Sequence, residues 1–158
     1  FDLQFAFDLG LETIKNMHPE AEFVVSKMED TISDKIPGRY IKSYDGIFYN
    51  LFDNIYKKAT PRNNKFYIKY ELRNLDGNMR IYIENEFDCT QDISSDLRRV
   101  EIAKEIYRTA RYAEKAKGEG GTGIPKICKI IKYDLLKSPF IDFGYKKEEN
   151  KFYMEIKF

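Results

Sequence analysis

Residues 66–73 (FYIKYELR) and 79–86 (MRIYIENE) each alternate apolar and polar side chains. A period of two puts successive side chains on opposite faces of a strand. Between them stands Asn74–Leu75–Asp76–Gly77–Asn78, and Asp-Gly is the pair a tight antiparallel hairpin favours. Two half-buried antiparallel strands need an apolar partner over one face, and the flanking segments can supply it. Residues 3–17 carry Leu3, Ala6, Phe7, Leu11 and Ile14 at helical spacing. Residues 43–59 predict the clearest helix, with Ser43 as N-cap, Thr60–Pro61 as its end, and Ile47, Phe48, Leu51, Phe52, Ile55 and Tyr56 as the buried stripe.

Residues 94–117 read as a long, charge-rich helix with Leu97, Val100, Ala103, Tyr107 and Ala110 on one side, and Ile124–Leu136 as another. Strands are expected at 21–27, 140–147 and 151–158, the last two joined across Glu148–Glu149–Asn150, with a loop at Asp34–Gly38. The order is α, β, α, β, β, α, α, β, β. The expected fold is α/β (α+β), a two-layer sandwich with a mixed, mainly antiparallel sheet and helices on one face.

At 158 residues the chain has the length of one domain, spanning 1–158. Lys+Arg at 27 against Asp+Glu at 26 leaves a net charge of +1, which gives no global support to a nucleic-acid partner. No apolar run approaches the ~18–20 residues of a membrane span, and no membrane contact is expected of this segment. Opening on Phe1 rather than Met is expected of a piece of a longer protein. Cys89 and Cys128 are the only cysteines, which argues for free thiols and against a disulfide framework or a cysteine-based zinc site. The single histidine, His18, precedes Pro19 and reads as a loop residue.

Four of the nine glycines (Gly118, Gly120, Gly121 and Gly123) fall within six positions and lead into a helix with Pro125 in its first turn. Such a run can turn its backbone N–H groups toward an anion, or it can serve as a hinge. Gly118, Gly120 and Gly123 satisfy G-x-G-x-x-G, but the run follows a charged, helix-like stretch rather than a strand. Gly118 and Gly123 have Walker A spacing, but Ile124–Pro125 replace the required Lys-Ser/Thr. Asn50, Asn54 and Lys57 form one line along the 43–59 helix. Two carboxamide oxygens one turn apart can hold Mg²⁺, which prefers hard oxygen ligands, and the lysine can neutralise a phosphate. A solvated helix face is the alternative. Asn85 extends the apolar row Met79, Ile81, Ile83. A polar group ending a buried row needs a partner or a ligand, such as an exocyclic amine of adenine, unless it merely ends the strand.

An Asn-bearing helix, a polar residue ending a strand and then a glycine-rich turn into a helix resemble the histidine-kinase-like ATPase superfamily, which shares the Bergerat ATP-binding fold. The resemblance covers about residues 20–158 and lies nearest the ATP-binding domain of sensor histidine kinases. Ile47–Lys58 is similar to the family's N box. The resemblance implies that Asn54 ligates Mg²⁺, that Asn50 binds the ion or its water, and that Lys57 contacts phosphate. Gly121–Thr122–Gly123–Ile124 resembles the second glycine box, so Gly118, Gly120, Gly121, Thr122 and Gly123 would cradle the phosphates of ATP. Asn85 would read adenine, although the following Glu86–Phe87–Asp88–Cys89 lacks the glycines of the first glycine box. Residues 88–117 would be the ATP lid, with Lys115 and Lys117 as candidate phosphate contacts.

Gyrase-like hydrolases of the superfamily place a Glu general base at the first N-box position. Asn50 cannot abstract a proton, which favours the kinase type. The resemblance thus implies a cytoplasmic Mg²⁺-ATP-binding catalytic domain that presents the γ-phosphate to a phosphoacceptor histidine outside this chain, with homodimerisation a further expected association. An ATP-gated conformational or dimerisation module and a degenerate, non-catalytic scaffold are the alternatives.

Overall fold

The computed structural model describes residues 1–90, 92–108 and 123–158. The alternating segments form strands β3 (Lys65–Leu75) and β4 (Asn78–Glu86), paired antiparallel. Asp76 and Gly77 between them both have positive φ, 52° and 75°, as the tight hairpin turn requires. The closing strands, β5 (Phe140–Lys146) and β6 (Lys151–Lys157), also pair antiparallel, and β6 lies against β4. On the other edge, β1 (Glu22–Lys27) and the two-residue β2 (Ile32–Ser33) run parallel to β3. The sheet order is β1-β3-β4-β6-β5, with β2 also on β3.

The mixed character arises because a helix crosses over between β1 and β3, and such a crossover returns the chain in the same direction. That helix is α2 (Ile41–Lys58). It begins earlier than the sequence suggests. Pro37 starts a 3₁₀ turn over Gly38–Tyr40 that runs directly into α2, so Ser43 lies inside the first turn and is not the N-cap. Helix α1 (Leu3–Met17) is capped by Asp2, whose carboxylate accepts from the Phe5 N–H at 2.9 Å. His18 closes α1, its N–H bonded to the Ile14 carbonyl at 3.0 Å, and its ring stacks on Tyr56.

The expected stripes are the observed core. Leu3, Ala6, Phe7, Leu11 and Ile14 of α1 and Ile47, Phe48, Leu51, Phe52 and Ile55 of α2 are buried against Phe66, Ile68, Tyr70 and Leu72 of β3 and Met79, Ile81 and Ile83 of β4. Gly10 allows the two helices to approach closely: a Cβ there would lie 2.5 Å from Phe48 Cβ. Helix α3 (Ser94–Arg108) packs along β5, with Tyr107 edge-on to Phe143. Helix α4 (Gly123–Lys129) passes into a π-helical turn, Ile130–Asp134, shorter and wider than the regular helix expected to Leu136. The helices cover one face of the sheet, as expected. Among the described residues, no helix is long and apolar enough to cross a membrane.

Candidate functional site

A cavity of about 400 Å³ opens between the C-terminal half of α2, the ends of β4, β5 and β6, and α3 and α4. That size suits a small-molecule ligand. Its floor is apolar, made by Leu51 and Ile55 of α2 with Ile83, Phe143, Phe152 and Met154 of the sheet. Asn54, Lys57 and Asn85 all line it, so candidates from two separate parts of the sequence converge on one space.

Asn85 sits in the central strand of the sheet, opposite Ile68 of β3 and Phe152 of β6, and is only 6% exposed. Its Nδ2 donates to the Glu86 carbonyl at 2.9 Å. That bond uses one of the two amide protons, and Oδ1 accepts no hydrogen bond among the described residues. Phe87 follows, where the first glycine box would have small residues. Its N–H donates to the Asn150 carbonyl at 2.9 Å, and its ring lies 4.8 Å from that of Tyr145. Burial pushes the Tyr145 phenol up to about 12, so it stays protonated.

Asn54 is overlain by the first residue of α4. A Cβ on Gly123 would overlap the Asn54 carboxamide, so any side chain there would require Asn54 to move. The Asn54 Nδ2 is buried without a hydrogen-bond partner among the described residues. Gly46 meets Ile130 further along, so α4 and its π turn run antiparallel to α2. Asn50 is not on the wall of this cavity. It is buried, its Nδ2 donates to the Gly46 carbonyl at 2.6 Å, and it faces a second hollow lined by Lys126, Lys129, Ile130, Tyr133 and Asp134. Lys57 is held by Asp53 at 2.7 Å, and that carboxylate raises its pKa.

Gly118, Gly120, Gly121 and Thr122, together with Lys115 and Lys117, lie outside the described residues. Three features of the cavity escaped the sequence reading. Lys58 lines it beside Lys57, Asp96 and Val100 enter from α3, and the Phe87–Tyr145–Phe152 rings form one wall. The Lys57–Lys58 doublet was the available signal for the first, and the density of Phe and Tyr in the last strands for the third.

The donor set fits a nucleotide-bound Mg²⁺ better than a free one. Among the described residues no three His, Cys, Asp or Glu side chains gather at a point. The protein's share would be neutral carboxamide oxygen, and Mg²⁺ commonly takes few protein ligands when phosphate and water complete its shell. The orphaned Asn54 Nδ2 is a donor that would meet a phosphate or water oxygen, while the Oδ1 of the same carboxamide would be the ligand to the ion.

A mixed sheet with helices over one face and the Asn54-bearing helix beside a cavity is the architecture of a histidine-kinase-like domain. The chain belongs to the family described as the y4jQ C-terminal putative histidine kinase domain, whose model matches residues 3–158. A comparison with curated proteins finds no match. Among solved structures, it is similar to the mycobacterial sensor histidine kinase MprB, with 14% identity, a TM-score of 0.60, and 99% of this chain and 95% of that one covered. It is similar to the Acinetobacter baumannii histidine kinase AdeS at 15% identity and a TM-score of 0.59, covering 99% of this chain and 64% of that one. The catalytic domain of the histidine kinase ThkA matches at 15% identity and a TM-score of 0.57, with 98% and 89% covered. At these identities the likeness is one of fold.

Proposed function

We propose that this domain binds Mg²⁺-ATP and presents the γ-phosphate to a phosphoacceptor histidine outside the chain. The observation that carries the reading is the convergence of Asn54, Lys57 and Asn85 on one cavity of about 400 Å³. Asn85 Oδ1 would accept from the adenine amine while the apolar floor takes the ring. Asn54 would hold the metal, and a lysine at the end of α2 would meet the phosphates. Asn50 would reach the ion or its water once α4 shifts along α2. Gly118, Gly120, Gly121, Thr122 and Gly123 would wrap the phosphates, and residues 88–117 would form the lid.

When bound, Mg²⁺ would supply charge neutralisation at the phosphate oxygens. The chain's own residues position and exclude water. None of Asn50, Asn54 and Asn85 can take a proton from water, so efficient hydrolysis within this domain is not expected. A nucleophile from elsewhere suits the site better. The cytoplasmic location of such a domain and its association with other domains or a second copy belong to the same proposal.

Calorimetric titration of the 158-residue chain with ATP, with and without Mg²⁺, tests binding. Saturable, Mg²⁺-enhanced binding is the expected result. Absence of binding at millimolar nucleotide would support a non-catalytic scaffold instead. Nucleotide-dependent dimerisation without transfer to any histidine-bearing domain would favour the conformational module.

A further inference from the structure

Among the described residues, three charged ones line the cavity: Lys57, Lys58 and Asp96. Two of them are matched within the protein. Lys57 pairs with Asp53 at 2.7 Å, and Asp96 lies 3.5 Å from Arg99. Lys58 has no hydrogen bond, ion pair or ring contact among the described residues. Among the described lining residues, Lys58 therefore supplies the one uncompensated positive charge.

Its position on the helix strengthens the point. Asn54 neighbours both Lys57 and Lys58 along α2, three and four residues on, but Lys57 is also four residues from Asp53 and is paired with it. Lys58 is the last residue of α2, and the following Ala59 N–H closes the helix onto the Ile55 carbonyl at 2.8 Å. The remaining carbonyls of a helix C-terminus carry partial negative charge and repel an anion. A phosphate approaching this end needs a cation that is free to meet it. Lys57 must first leave a half-buried carboxylate to do so, while Lys58 need only change rotamer from an exposed position.

We propose that Lys58 is the phosphate-binding cation of this cavity, and that Lys57 is held by Asp53 as a helix-end clamp. The inference rests on the reading of the cavity as a nucleotide site and divides the labour within it.

The test is titration of the 158-residue chain and its Lys58→Gln, Lys58→Arg and Lys57→Gln variants with ATP and with adenosine, at two salt concentrations. Lys58→Gln should weaken ATP about tenfold, as loss of one charge-assisted contact does, and leave adenosine within about twofold. It should also flatten the salt dependence of ATP binding, and Lys58→Arg should restore both. Lys57→Gln should change ATP affinity less than about threefold. Unchanged ATP affinity in Lys58→Gln, or an equal loss for adenosine, overturns the assignment, as does a larger loss in Lys57→Gln. Those results leave the nucleotide reading standing if the parent chain binds ATP. A parent chain that binds neither ligand defeats both.

Discussion

Gly123 rests directly on the Asn54 carboxamide, with no room for a methyl group between the first turn of α4 and the N-box helix. The contact ties the end of the glycine-rich segment to the residue proposed to hold the metal. It also leaves the Asn54 Nδ2 buried without a partner among the described residues, a cost of about 1–3 kcal/mol unless a ligand or a rearrangement relieves it.

Gly123→Ala should therefore destabilise the domain by about 1–3 kcal/mol, the usual penalty of forcing a methyl into filled space. Because the obstacle is one side chain, Asn54→Ala should remove much of that penalty. Urea unfolding of both single variants and the double variant reads the coupling. Strict additivity would show that the two residues do not meet in solution.

The same contact underlies a binding prediction. Asn54→Ala should weaken the Mg²⁺-dependent part of ATP affinity and leave metal-free nucleotide binding nearly unchanged, since an alanine offers no oxygen to the ion. Titrations with Mg²⁺ and with a chelator present separate the two parts. An unaltered Mg²⁺ dependence in Asn54→Ala would refute the metal role.

Asn85 gives a separate handle on the base. Its Nδ2 gives one proton to the Glu86 carbonyl, and that bond orients Oδ1 as the acceptor proposed for a base amine. ATP should bind more tightly than GTP, because the guanine carbonyl would meet another oxygen. Asn85→Asp should preserve that order, and Asn85→Ala should cost ATP about 1–1.5 kcal/mol, or roughly tenfold, while narrowing the gap to GTP. Competition between the two nucleotides on the three proteins measures it. A parent chain that prefers GTP would mean that the amide faces the other way.

Much of this arrangement was legible in the sequence, for an identifiable reason. The α1 and α2 stripes and the β3–β4 alternation are local periodicities, and burial follows the period. Asn85 stood out because it continued a buried row. What was not legible depends on partners distant in sequence. The line Asn50–Asn54–Lys57 reveals a shared helix face, but not that α4 would cover Asn54 and turn Asn50 toward a different hollow. The two-residue β2 carries no period at all, and its pairing with Arg73 and Asn74 is set by β3. Glu84 is the clearest case. Alternation puts it on the polar face of β4, yet it is 2% exposed, enclosed by lysines from the last two strands.

Glu84 also yields a pH prediction. Burial raises the carboxyl, but hydrogen bonds from Lys151 at 2.8 Å, Lys146 at 3.1 Å and Tyr82 at 3.1 Å outweigh it and hold the pKa below the ordinary 4.5. A carboxyl depressed on folding contributes stability that is complete above its unfolded pKa and disappears as pH falls through the folded value. The contribution should thus be intact at neutral pH and lost progressively below about pH 4.5. Glu84→Gln removes the charge between two lysines, and should cost about 1–3 kcal/mol at pH 7. The cost should shrink toward acid, where the parent protein loses the same charge. Urea unfolding of both proteins from pH 7 to pH 3.5 should show the curves converging. A constant gap across that range would place the Glu84 carboxyl outside the lysine cluster.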